Sequence, residues 1–106
     1  MEAFDLKTMK THSYAKREKN VFYRTSEFKA RIIVLPPGGE MPPCEMASYT
    51  VFYVIAGKAR ISFGSETVSV KPGQCLINEP GTLAIRSRNG VRLLGLQIAR
   101  RTAVLG

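Results

Sequence analysis

Short runs of β-branched and apolar residues, cut by proline and glycine about every ten positions, limit what this chain can become. Residues 28–35, FKARIIVL, alternate at first and read as a strand. Pro36-Pro37-Gly38-Gly39 stops it, because proline removes a ladder donor and glycine permits a sharp bend. Pro42-Pro43 then holds the approach to Cys44 extended. Ser48–Ile55 and Lys58–Phe63 follow as two strands joined at Ala56-Gly57. That spacing fits a two-residue hairpin, with Ile55 facing Lys58, Val54 facing Ala59, Phe52 facing Ile61 and Thr50 facing Phe63. Turns at Gly64-Ser65, Lys71-Pro72-Gly73 and Glu79-Pro80-Gly81 separate strands at Glu66–Val70, Gln74–Asn78 and Leu83–Ser87. Asn89-Gly90 is the strongest hairpin signal in the chain and leads into Val91–Ala99. No helical apolar stripe of useful length interrupts the series. Such a pattern predicts an all-β sandwich or barrel.

Residues 1–25 are polar, basic and weakly periodic. They are expected to form an N-terminal arm with short strands, anchored by Phe4, Leu6, Val21 and Phe22, and the barrel then spans 26–106. At 106 residues the chain is one domain with one modest core. No apolar run approaches the roughly 20 residues a membrane-spanning helix needs. The opening MEAFDLKTMK lacks the apolar core of a secretory signal, so the chain reads as cytoplasmic with no membrane partner.

Sixteen Lys and Arg stand against eight Asp and Glu, a net charge of +8. Basic faces attract phosphate, which raises a nucleic-acid partner. The distribution argues against one. Half of the cations fall within 1–31 and are diluted there by Glu2, Asp5, Glu18 and Glu27. Arg86, Arg88 and Arg92 form a second cluster and Arg100–Arg101 a third, with no recognition-helix or zinc-finger pattern. Arg60, Arg86 and Arg88 alternate with inward residues and make a basic strip on the outer sheet. A solvated face is the simpler account of it, and pairing with an acidic partner or a place in a dimer interface the alternative. The two cysteines, Cys44 and Cys75, lack CxxC spacing and read as reduced, independent thiols. His12, the one histidine, lies in the basic arm and reads as a surface residue unless the arm brings it to Cys44.

Two spacings carry more information. The first runs Gly38, five residues, Cys44, one residue, Met46, three residues, Thr50, six residues, Gly57. The second runs from Pro80 through Thr82 and Ile85 to Asn89. Both resemble the two motifs of the cupin superfamily, and the chain is similar to a small single-domain cupin. The resemblance implies a double-stranded β-helix, or jelly-roll barrel. It also implies that Cys44, Met46, Thr50 and Ile85 stand where cupins carry three His and one Glu, with Thr82 at a motif glycine. Cupins include metal-dependent enzymes, sugar- and effector-binding domains and storage proteins, so fold alone does not decide function.

In cupins the ligand face points into the barrel. Alternation and the hairpin pairing, together with the positions that the resemblance gives to Cys44, Met46 and Ile85, therefore imply an interior site of Cys44, Met46, Ser48, Thr50, Phe52, Ile61, Phe63 and Ile85. The set is mostly apolar and holds no carboxylate or imidazole. Iron(II) or manganese(II) needs oxygen and nitrogen ligands, so no metal, cofactor or catalytic residue is expected. The first reading is a metal-free, non-catalytic barrel holding a small, largely apolar molecule, with Thr50 and Ser48 meeting its polar groups. A second is an enzyme using a soft metal or a thiol at Cys44 and Met46. A third is a barrel simply filled by Met46, Phe52, Ile61, Phe63 and Ile85. The outer face of the Ser48–Ile55 strand, with Tyr49, Val51, Tyr53 and Ile55, is too apolar for water. The arm or a second subunit is expected to cover it, and small cupins are commonly dimers.

Overall fold

The structure, a computed structural model, describes residues 1–99. The Arg100–Arg101 cluster and the end of the expected 26–106 barrel lie outside them. Among the described residues, nine strands form two sheets. They are β1 (Val21–Arg24), β2 (Phe28–Leu35), β3 (Glu40–Met46), β4 (Thr50–Gly57), β5 (Ala59–Phe63), β6 (Glu66–Val70), β7 (Cys75–Asn78), β8 (Gly81–Arg86) and β9 (Val91–Ile98). One sheet has the order β1-β2-β9-β4-β7 and the other β3-β8-β5-β6. Every pairing is antiparallel.

The expected Ser48–Phe63 hairpin is not formed. β4 pairs with β7 and β9, whereas β5 pairs with β6 and β8 in the opposite sheet. The chain changes sheet at Gly57-Lys58. Gly57 has φ +78, and a Cβ there would strike the Gly90 carbonyl oxygen. A side chain is therefore excluded at the point where two sheet-crossing turns touch. Asn89-Gly90 is likewise a crossing between β8 and β9 and not a hairpin, with Gly90 at φ +100. The inward set survives this change of partners. Thr50, Phe52 and Val54 face Ala59 and Ile61 across the barrel instead of along a hairpin, and all five are buried.

The core lies between the sheets. Ile33, Leu35, Phe52, Val54, Val91 and Leu93 come from the first sheet, and Met41, Ala59, Ile61, Val70, Leu83 and Ile85 from the second. Gly95 lies opposite Phe52, and a Cβ there would stand 3.2 Å from Ile33 Cδ1 and 3.5 Å from Phe52 Cε1. Its bareness leaves room for the ring.

The expected short strands of the arm are replaced in part by a 3-10 helix over Tyr14–Asn20, followed by β1 along β2. Asn20 clasps the arm: the His12 N–H donates to Asn20 Oδ1 at 2.7 Å, and Asn20 Nδ2 donates to the His12 carbonyl at 2.9 Å. Arg92, on the outer face of β9, donates to the carbonyls of Leu6 (2.7 Å) and Met9 (2.8 Å). Phe4 rests against Phe22, ring centroids 4.8 Å apart, and Ala3–Lys7 borders Tyr53 and Ile55. The arm thus lies on the outer face of the first sheet. It leaves Tyr49 54% and Ile77 68% exposed.

Candidate functional site

Register places a polar row at one end of the barrel. Cross-strand partners share a face, so Asn78 on β7, Thr50 on β4, Gln97 on β9 and Lys29 on β2 form one inward line. The next line inward is Leu76, Phe52, Gly95 and Arg31. In the facing sheet, Met46 stands opposite Gly81, and Cys44 opposite Leu83. Leu83 in turn lies opposite Phe63, and a Cβ on Gly81 would come within 2.5 Å of the Phe63 ring. The Tyr14 side chain, with Met46, Phe63 and Leu76, packs on the core at this mouth.

One chain of contacts runs across the opening. Arg31 Nη2 donates to Glu18 Oε1 at 3.3 Å and to Gln97 Oε1 at 3.2 Å, and Gln97 Nε2 lies 3.6 Å from Met46 Sδ. Glu18 also pairs with Arg24 (3.4 Å) and Lys29 (3.9 Å). Burial tends to raise the Glu18 pKa, but Arg31, Lys29 and Arg24 together hold it below its ordinary value. Burial pushes the Tyr14 phenol up, with the neighbouring Cys44 sulfur adding to the rise against Arg17 and Arg31. The arm does reach the mouth, through Tyr14, while His12 is held by its backbone to Asn20.

Two polar atoms are left over. Thr50 Oγ1 and Asn78 Nδ2 are buried without a hydrogen-bond partner, and the two residues are direct cross-strand neighbours. A hydroxyl and an amide N–H side by side suit an acceptor oxygen.

The eight expected interior residues separate into groups. Thr50, Phe52, Ile61 and Ile85 are buried, Met46, Ser48 and Phe63 are half-buried, and Cys44 is exposed on the edge strand β3. Ile85 pairs with Met41 and Ile61, one inward step deeper than Cys44, and is fully buried in the core. The two cavities described lie on the surface, lined by none of the eight.

The donor set does not fit the metal that a cupin barrel commonly holds. Ile85 offers no ligand, Thr50 only a hydroxyl, and the Met46 sulfur already faces Gln97. Among the described residues, no three His, Cys, Asp or Glu side chains come together.

Sequence reasoning missed Tyr14, Lys29, Arg31, Asn78 and Gln97. The alternation of Lys29, Arg31, Ile33 and Leu35 on β2 did carry a signal: the two cations share a face with two core residues.

No family model and no curated protein matches the sequence. Solved structures do match in shape. A protein from Thermus thermophilus superposes with a TM-score of 0.79 at 20% identity, covering 95% of this chain and all of that one. A cupin superfamily protein from Desulfitobacterium hafniense gives 0.72 at 15% identity, covering 76% and 74% of the two chains. An RmlC-like cupin with a double-stranded β-helix, from Methanocaldococcus jannaschii, gives 0.68 at 17%, covering 76% and 77%. The chain has the fold of a small cupin domain.

Proposed function

We propose that this protein is a metal-free, non-catalytic cupin-fold binding module that takes a small molecule at the Tyr14 mouth. The unpartnered Thr50 hydroxyl and Asn78 amide carry the reading. Leaving such a group buried and unpaired costs about 1–3 kcal/mol, which a ligand oxygen placed between them removes. Around them the walls are apolar, from Phe52, Phe63, Leu76 and Met46, with Lys29 on the same row and Arg31 one row deeper. A compact molecule with an apolar body and one carbonyl or carboxylate group matches that lining. Entry displaces the Tyr14 ring, so the arm acts as a cover.

A thermal-shift screen of small carboxylic acids, amides and ketones on metal-free protein tests this. The expected result is a hit that raises the melting temperature in proportion to log concentration and is lost in Thr50→Val. The filled barrel is the second reading, favoured by the complete burial of Leu83, Ile85 and Leu93. An absence of hits, with wild-type stability unaffected by every compound, establishes that reading instead. Metal analysis of the protein alongside Cys44→Ser addresses the soft-metal alternative: stoichiometric metal lost in the variant would overturn the proposal.

The partner we propose is a second copy of the chain. Tyr49 and Ile77 remain exposed on the outer face of the first sheet, beyond the border that the arm makes with Tyr53. Light scattering is expected to show a dimer that Ile77→Glu converts to monomer; a monomeric wild type would refute it.

A further inference from the structure

At the opposite end of the barrel, seven residues along β4 from Thr50, lies an open cleft of about 1090 Å³. Five cations line it: Lys58, Arg60, Lys71, Arg86 and Arg88. Glu40 is the one carboxylate among its lining residues. Glu40 is only loosely engaged, 3.6 Å from Arg86, with both side chains more than half exposed.

Two features set this cleft apart from a merely solvated basic face. First, Arg60 and Arg86 are direct cross-strand partners on β5 and β8. Like charges placed opposite one another destabilise a sheet, and an anion bound between them reverses the sign. Second, the loops that carry the other cations are fastened together. The Gly38 N–H donates to the Ser87 and Arg88 carbonyls (2.9 and 3.0 Å), and the Ser87 N–H to the Gly39 carbonyl (3.0 Å). Ser87, 3% exposed, donates its hydroxyl to the Lys58 carbonyl at 2.6 Å. Lys58 and Arg88 therefore project from a backbone that is already ordered, which lowers the cost of binding.

We infer that this cleft is an anion site for a small molecule carrying two adjacent phosphate groups. The facing guanidinium groups of Arg60 and Arg86 form one subsite, since the planar fork of arginine matches phosphate oxygens. Lys58, Arg88 and Lys71 supply the second. The volume is that of a small-molecule pocket. No aromatic side chain lines it, so single-stranded nucleic acid finds no stacking platform here. The site is independent of the Tyr14 mouth and stands or falls separately.

Titration calorimetry of the full chain with inorganic pyrophosphate at low ionic strength tests the inference. The expected result is saturable one-to-one binding, tighter than orthophosphate, weakening by about tenfold or more in Arg60→Gln/Arg88→Gln. A control of equal charge change, Lys10→Gln/Lys19→Gln on the arm, should leave affinity within about twofold of wild type on the same scale. All four positions are exposed, so folding is not at risk. Absence of saturable binding, or equal loss in both variants, overturns the site in favour of diffuse charge. Binding of a single-stranded oligonucleotide more tightly than pyrophosphate, lost in the cleft variant, overturns the small-molecule assignment.

Discussion

Replacing Thr50 by valine should make the protein more stable. Thr50 is 1% exposed, and its hydroxyl has no partner. Valine keeps the branched shape and the preference for strand. The substitution removes a desolvated hydroxyl and supplies a methyl that packs beside Phe52. The expected gain is about 1–2 kcal/mol. In a domain of this size each kcal/mol raises the melting temperature by roughly 4–8 °C. Thr50→Ser is the counterpart, because it keeps the hydroxyl and deletes the methyl. It should lose about 1 kcal/mol from the lost burial and the space left behind. Urea and thermal unfolding of the three proteins read the two effects, and opposite signs are the expected signature. A loss of about 1 kcal/mol or more in Thr50→Val would refute the reasoning, because it would mean that the hydroxyl is satisfied in the resting protein.

Other substitutions test the parts that frame the mouth. Asn20→Leu leaves the His12 N–H and carbonyl without their clasp; the expected cost is about 2 kcal/mol, with faster limited proteolysis within residues 1–20. Gly57→Ala forces a side chain into a left-handed backbone against the Gly90 carbonyl, and should cost about 2–3 kcal/mol or abolish soluble expression. Glu18→Gln removes the common partner of Arg24, Lys29 and Arg31 and should cost about 0.5–1 kcal/mol at neutral pH, read by urea unfolding in low salt. The Glu18 pKa is lower in the folded chain than its ordinary 4.5. Its contribution is therefore complete above that value and is lost as pH falls through the lowered one, a dependence Glu18→Gln should flatten.

The strands and their inward faces were legible because period-two alternation reports the face of a residue directly. Alternation puts Phe52 on the inward face, and it is buried there; Ile61, expected inside from a hairpin that does not form, and Ile85, expected inside from the motif resemblance, are buried as well. Alternation does not report the neighbour. Ala56-Gly57 and Asn89-Gly90 read as hairpins, yet each carries the chain between sheets, and only the long-range pairing of β9 with both β2 and β4 makes that visible. The mouth was harder still. Gln97 and Asn78 acquire meaning only from register with Thr50, and Tyr14 reaches the core from a segment whose path no local rule predicts. The basic strip of Arg60 and Arg86 was foreseen, but Lys58 and Lys71 join it only through the meeting of three loops.

The order of strands also governs how the chain is made. Among the described residues, β9 is the strand that bridges β2 and β4, and β8 the strand that bridges β3 and β5. As the chain leaves the ribosome, residues before Gly81 can pair only as β1 with β2, β4 with β7 and β5 with β6. None of these fragments encloses a core, and isolated strand pairs are marginal in water. Both sheets close together when the segment from Gly81 to Ile98 arrives. The nascent polypeptide must therefore remain open, with its apolar strands unshielded, until the segment from Gly81 to Ile98 has been synthesised.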